Sequence, residues 1–561
     1  MTLLKKHIPP GRTVPADDFK IGDSGMAVEA RLAEWKGAGF LQRLWAKDST
    51  LWAPGPGSEI VERLGWLDLP SRMQDQVAGI KAFAEEAKTQ GFTQVVILGM
   101  GGSSLAPDVF QRTFGSKPGY PKLLVLDSTH PAAITAVEKS VNLARTLFVV
   151  SSKSGTTIEP LSLFRYFWAR LGRATDSAGS HCVAVTDPGT PLAALAEERK
   201  FRRVFLAPPD VGGRFSALSP FGLVPAALTG MDIGLLLERA RSAAGADAPD
   251  AAVDGSPGLH LGAALGELGK ARNKLTILTS ASLHGFPDWL EQLIAESLGK
   301  DGKGVLPVVD EPLAAAESYG QDRVFIALLL EADHDRGLAN HIASLEESGQ
   351  PVIRIRLADG WDLGREMFRW EVAVAAAGAA LGVQPFDQPD VELAKDLARK
   401  AMTEIQPKEE AGPPGEDAVA ADADSLAQAV TGWLAQARPK GYVALQAYLY
   451  PDEETIRSLR DLRRAVLRKT GLATTLGFGP RFLHSTGQFH KGGPNEGLFL
   501  QLLDDPAPDL SVPETDYTFG QLIRGQALGD ARALELKGRR VLRVNLKRDV
   551  AGGLERLRRA I

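Results

Sequence analysis

At 561 residues the chain is long enough for about three or four domains. Its composition, 44% hydrophobic and 24% charged, is that of an ordinary globular protein. A net charge of -5 gives no electrostatic footing for nucleic acid or a membrane surface as partner.

No segment approaches the roughly 18 uninterrupted apolar residues of a membrane span. The opening stretch, MTLLKKHIPPGR, lacks the apolar run of a secretory signal. The single cysteine, Cys182, excludes an internal disulfide and a cysteine metal cluster. A cytoplasmic protein is expected.

Residues 1–85 read as a helical segment. Ala27–Trp35 has helical spacing, and Trp35, Trp45, Trp52 and Trp66 are available for packing. Residues 86–250 alternate short apolar runs with helix-like stretches. Strands are predicted at Val95–Leu98, Leu123–Leu126, Leu147–Val150, Cys182–Val185 and Val204–Leu206. Such alternation predicts a doubly wound parallel sheet. A second set of strands, Leu275–Leu278, Val324–Leu328 and Val352–Ile355, predicts a similar domain over 251–405. Residues 406–423, rich in Pro, Gly, Ala and acid, read as an exposed linker. The last module, 424–561, mixes strands such as Val541–Leu546 with a charged helix, and α+β is expected there. The fold class is therefore α/β: two doubly wound domains plus a C-terminal α+β module.

Two loops stand out. GMGGSSLAP (Gly99–Pro107) follows the first predicted strand, and SSKSGTTIEP (Ser151–Pro160) follows the third. Gly99, Gly101 and Gly102 permit close backbone approach. Ser103, Ser152, Ser154, Thr156 and Thr157 supply hydroxyls, and Lys153 a cation. Either loop alone reads equally as a tight turn capping the next helix. Together, at the ends of strands in one sheet, they read as a phosphate cup. The GxxxxGK[ST] spacing of a P-loop is absent.

Phe286–Lys300, FPDWLEQLIAESLGK, has a helical apolar stripe, and Gln292 and Glu296 share a face beside it. A carboxylate at such a margin is a candidate proton shuttle, although the spacing alone favours an ordinary solvent-facing glutamate. In Asp210–Gly222, DVGGRFSALSPFG, Gly213 lets the backbone come close to a ligand while Arg214 reaches over it. Arg214 could stabilise an oxyanion or simply pair with a carboxylate. His484 and His490 lie in RFLHSTGQFHKGGPNEG, with no metal-ligand spacing around them. Each could serve as an acid or base near neutral pH or brace a loop.

Together these motifs resemble the phosphoglucose isomerase family. Asp210–Gly222 is similar to its first signature, and FDQPDVELAK (Phe386–Lys395) to its second, with Pro389–Asp390 as a departure. AESLGK resembles the family's Glu-bearing segment, and the two loops its phosphate loops. The likeness covers about residues 90–400. It implies two sugar-isomerase (SIS) domains and no cofactor or metal. It also implies phosphate held by Gly102, Ser103, Ser152, Ser154 and Thr157 with Lys153 nearby. Glu296 would move a proton between C2 and C1, and Arg214 would stabilise the cis-enediolate. Gly213, Gln292 and Gln388 would contact the sugar. Lys395 and a histidine would open the pyranose ring.

Family members carry that histidine between the Glu and Phe-Asp-Gln motifs, where this chain reads LAAAESYGQDRVF (Leu313–Phe325). LHSTGQ at Leu483–Gln488 is similar to the family's LHSMGQ variant but follows Lys395. The order resembles the isomerase half of transaldolase/glucose-6-phosphate isomerase fusions. His484 is the expected ring-opening residue and His490 the fallback. The resemblance also implies a sugar-phosphate substrate and a homodimer, with glucose 6-phosphate to fructose 6-phosphate as the reaction. A SIS-type isomerase of mannose phosphate or a sulfonated hexose, or a non-catalytic sugar-phosphate sensor, would use the same cup.

Overall fold

The structure, a computed structural model, describes residues 16–53, 58–404 and 418–561; the side chains of 58, 392–395, 403 and 404 lie outside that description. Among the described residues there are three five-stranded sheets.

Strand β1 (Asp18–Lys20) comes first in the chain but joins the second sheet. The first sheet is built from β2 (Gln94–Leu98), β3 (Lys122–Leu126), β4 (Thr146–Ser151), β5 (Cys182–Thr186) and β6 (Arg203–Leu206). All its pairs are parallel, in the order β3-β2-β4-β5-β6. The runs are nearly continuous in Val, Ile and Leu because helices cover both faces. The second sheet has β7 (Lys274–Thr279), β8 (Leu306–Val308), β9 (Arg323–Leu330) and β10 (Val352–Leu357), in the order β1-β10-β9-β7-β8. Its pairs are parallel except the antiparallel edge β1. The N-terminal segment thus adds an edge to the second sheet. Its helix Ser24–Gly37 packs on the helix Pro257–Gly269.

The third sheet has β11 (Val419–Ala420), β12 (Tyr442–Tyr448), β13 (Ala473–Phe478), β14 (Gly497–Leu503) and β15 (Arg540–Asn545), in the order β11-β15-β14-β12-β13. Every pair is parallel. This corrects the α+β expectation for the C-terminal module, which is a third doubly wound α/β unit. The alternation was obscured because one sheet face sets buried polar residues among its apolar ones. Gln446, Gln501 and Arg543 stand side by side across β12, β14 and β15, all buried. Gln501 donates to the Ala527 carbonyl at 2.9 Å and accepts from Arg543 at 2.8 Å. The expected linker, 406–423, lies mostly outside the described residues. Its end forms β11, the sheet edge, rather than an exposed connection.

The tryptophans of the N-terminal segment pack beneath loops of the later domains. Trp66 stacks on Phe215 at 5.4 Å, and Trp52 meets Phe386 edge-on at 4.9 Å. Phe215 and Phe386 are 5.5 Å apart. Each is next in sequence to a candidate site residue or its loop: Arg214 on one side, Asp387 and Gln388 on the other.

Candidate active site

In the first sheet the strand nearest the start of the chain, β2, lies between β3 and β4, so the crossover direction reverses there. Ligands of open parallel sheets bind outside the carboxyl ends at such a switch point. The loops leaving β2 and β4 both face it. In the first, Gly101 has a φ of +54°, and a Cβ on Gly102 would lie 1.9 Å from the Gly213 carbonyl oxygen. Only glycine allows that approach of two loops. In the second, Ser152 Oγ bonds Thr157 Oγ1 at 3.0 Å and accepts from the Gly155 amide at 3.2 Å. Ser154 and Thr156 hydroxyls bond each other at 2.9 Å.

The helices that follow, Leu105–Phe114 and Ile158–Ala174, start at Ser104 and Thr157, neither of which caps its helix with a side-chain hydrogen bond. Uncapped first-turn N–H groups and small hydroxyls suit an anion. Lys153 is committed elsewhere. Its ammonium bonds the Asp187 carboxylate and donates to the Pro209 carbonyl at 3.2 Å, and burial pulls its pKa down.

Arg214 is 3% exposed and ties the loop after the first sheet to a helix and a loop flanking the second. Its guanidinium donates to Ser297 Oγ (2.7 Å), Gln388 Oε1 (3.1 Å), and the carbonyls of Pro385 (2.6 Å) and Asp387 (3.0 Å). It pairs with Glu296 Oε1 at 3.0 Å. Burial pulls its pKa down, and Glu296 and Asp387 oppose the effect. Glu296 Oε2 accepts from Gln292 Nε2 at 3.0 Å. Glu296, Gln292, Arg214, Gly213 and Gln388 are thus one contact group, joined to the first loop where Gly102 meets Gly213.

His484 enters from the C-terminal module. Its carbonyl accepts from Gln292 Nε2 at 2.7 Å, and its Nε2 lies 3.0 Å from Glu159 Oε1. A Cβ on Gly101 would lie 3.1 Å from the Cβ of His484. Glu159, in the first helical turn after the second loop, is 4% exposed and also accepts from Gln526 Nε2 at 2.7 Å. A cavity of ≈ 670 Å³ opens here, lined by Ser154, Thr157, Glu159, His484, Lys491 and Gln526 among others. The helix Pro389–Glu404 contributes Val391, Ala398 and Met402 to its wall. Lys395 is in this helix, and its side chain lies outside the described residues. Arg214 and Glu296 are not on this wall; Gln292 links them to it through His484.

Sequence reasoning passed over Glu159, Gln526 and Lys491. Glu159 had a weak signal, two residues beyond a hydroxyl-rich loop. Gln526 had none, since only the docking of the helix Phe519–Leu536 brings it here. Lys491 is buried and paired with Asp530 at 2.5 Å. His490, the fallback, is not at the cavity. It is enclosed by Tyr442 and Phe499, with Tyr442 Oη at 3.2 Å from its Nδ1. Burial, with the charges of Lys491 and Arg539, drives its pKa well down. Its place is in the core of the third sheet because the helix Gly487–Gly492 turns residue 490 inward. Among the described residues no group of three or more His, Cys, Asp or Glu could hold a metal ion. No helix among them is long and apolar enough to cross a membrane.

The sequence profile of the phosphoglucose isomerase family matches residues 68–305. Glucose-6-phosphate isomerase of Rubrobacter xylanophilus is 31% identical over 399 residues, 62% of this chain and 90% of that protein. The enzyme of that name from Acetivibrio thermocellus is 31% identical over 407 residues, 61% of this chain and 86% of that protein. Among solved structures, a Thermus thermophilus protein described as hypothetical superposes with a TM-score of 0.60 at 28% identity, covering 69% of this chain and 99% of that one. A glucose-6-phosphate isomerase of Chlamydia trachomatis shares the fold, with a TM-score of 0.52 at 21% identity over 65% of this chain and 78% of that one. By these likenesses the chain belongs to the phosphoglucose isomerase family.

Proposed function

We propose that the chain interconverts glucose 6-phosphate and fructose 6-phosphate through a cis-enediolate, at the junction of the two loops and the Arg214–Glu296 pair. The observation that carries this reading is the contact of Gly102 with Gly213. It brings an anion cup against a carboxylate–guanidinium pair 3.0 Å apart.

The phosphate sits on Ser103, Ser152, Ser154, Thr157 and the backbone at Gly102, with Lys153 contributing its field through the Asp187 pair. Binding energy from this inert end offsets the cost of opening and orienting the sugar. His484, held by Glu159, exchanges a proton with the ring oxygen, and Lys395 is assigned to the same step. With the chain open, Glu296 removes the C2 proton and returns it to C1, while the O2 hydroxyl proton passes to O1. No net atom or electron is gained. Arg214 offers a buried, preorganised cation to the enediolate oxygens. In the ground state it neutralises Glu296, so substrate binding must loosen that pair to free the base. Gly213, Gln292 and Gln388 hold the sugar hydroxyls. The same reading puts the enzyme in the cytoplasm, where phosphorylated hexoses are kept, and takes a homodimer as its assembly.

The test is Glu296→Gln, assayed for fructose 6-phosphate formation by a coupled enzyme. An intact fold with kcat lowered by roughly 10²–10⁴ is expected for a lost general base. Turnover close to wild type would remove Glu296 from the mechanism.

A further inference from the structure

We infer that each chain is a complete catalytic unit, in which the C-terminal sheet delivers His484 to the loops and Glu296 helix of its own chain. This rests on the role given to His484 above and adds where that residue comes from.

Three contacts fasten His484, and they come from both other domains. Glu159 of the first domain holds its ring, Gln292 of the second holds its carbonyl, and the turn at Gly101 packs on its Cβ. The fit is close: a Cβ on Gly101 would meet the His484 carbonyl oxygen at 3.0 Å. The ring partner is itself set by the module: Gln526, which donates to Glu159, also accepts from Thr129 at 3.0 Å.

The surface that carries His484 has the make-up of a permanent interface rather than a transient one. Phe164 and Tyr166 of the first domain share a buried cluster with Val512, Phe519 and Leu522 of the module. Ala295, Leu306 and Val308 of the second domain share another with Tyr442, Phe489, Phe499 and Leu534. A Cβ on Gly299, three residues past Glu296, would lie 2.5 Å from the Phe489 Cα. Charged groups cross the same seam. Arg481 reaches Asp108 (3.4 Å), Asp127 (3.4 Å) and Asp288 (3.2 Å), and buried Arg463 donates to the carbonyls of Val309 and Asp310. The helix that carries Glu296, gripped at Asp288, and a loop three residues ahead of His484 are thereby locked to each other.

The experiment mixes two full-length variants, Glu296→Gln and His484→Ala, by co-expression with different tags and isolation of any mixed assembly. Wild-type specific activity is also followed on dilution while mass photometry reports the oligomer. The expected results are two impaired variants, no activity in the mixed sample beyond the sum of its parts, and wild-type activity per chain unchanged in the monomer range. A site shared between chains would instead restore about half of wild-type activity in the isolated mixed dimer, since one of its two sites would be intact. Recovery of that size, or activity falling in step with dissociation, overturns the inference while leaving the roles of Glu296 and His484 intact. Full activity in either variant alone counts against the proposed mechanism instead, and the dilution series still decides whether one chain suffices.

Discussion

The first and third sheets share a strand order and differ in what they put at its carboxyl ends. In β3-β2-β4-β5 and in β13-β12-β14-β15, the second strand of the unit stands at the edge, then the first, third and fourth. By topology alone both have a crevice at the switch point. In the first sheet the crevice is bordered by glycine and hydroxyl loops and by two helices without side-chain caps. In the third it is a cavity of ≈ 420 Å³ lined by Asp452, Asp504, Asp505 and Asp549. Asp452 and Asp549 cap the helices Glu453–Thr470 and Val550–Ala560, bonding the amides of Thr455 at 2.8 Å and Gly552 at 3.0 Å. His130, from the first domain, closes against Asp504 at 3.1 Å. The helix N-termini that would attract phosphate are already occupied by carboxylates. One topology therefore yields an anion cup in one place and a brace in another, and loop chemistry makes the difference.

If the third sheet is a brace, the charges at its seam with the second should matter for stability and little for turnover. Glu311 is the strongest case. Its carboxylate pairs with fully buried Arg323 at 2.8 Å and accepts from the amide and hydroxyl of Thr474 in β13, at 2.6 and 3.0 Å. Glu311→Leu strands a buried guanidinium and should cost about 3–5 kcal/mol of stability. Chemical denaturation would read it, with kcat per folded molecule unchanged within about twofold. A large fall in kcat without loss of stability would show that the seam does more than hold the module in place.

If the first sheet is the cup, one added methyl should suffice to spoil it. Gly102→Ala places a Cβ in the Gly213 carbonyl and pushes the phosphate loop off the Arg214 loop. A displacement of this order can cost about 10²-fold in kcat/KM. Steady-state kinetics would read that loss beside a small change in melting temperature. Wild-type kinetics in this variant would mean that the two loops need not touch.

A smaller effect concerns pH. Burial and the negative charge of Asp288 push Glu291 up to about 8. An acid whose pKa is higher folded than unfolded keeps its proton in the folded state, so between about 4.5 and 8 stability falls as pH rises. Glu291→Gln should flatten that part of the stability profile and gain on the wild type towards pH 8. An unaltered profile would show that the carboxylate is already ionised. Least of all should Asp504→Asn matter: KM for the sugar phosphate is expected to stay within about twofold. A clear rise in KM would give the third crevice a share in binding and end the contrast with the first.

Much of this was legible from residue order. Apolar runs such as VVIL and LFVV mark strands buried on both faces, and Gly and Ser after them mark loops that must turn tightly. Local rules reach that far because strand burial and turn conformation depend on neighbours in sequence. The buried polar row of the third sheet was not legible. Gln501 accepts from Arg543 across two strands beside buried Gln446, and nothing local reveals a partner 42 residues away. The two histidines of RFLHSTGQFHKGG show the same limit. They are six residues apart in similar company, yet one faces Glu159 and the other Tyr442.

The sequence by itself determined the alternating α/β elements, the two small-residue loops, and the placing of Glu296 and Gln292 on one helical face, because each depends on spacing over a few residues. Tertiary structure decided which histidine reaches the cavity, that Lys153 turns to Asp187, that Glu159 and Gln526 stand behind His484, and that the C-terminal module is a third parallel sheet. Those outcomes follow from long-range docking, where buried charges and polar groups must find partners or remain costly, and the partners lie far apart in the chain, 34 residues for Lys153 and Asp187 and 325 for Glu159 and His484.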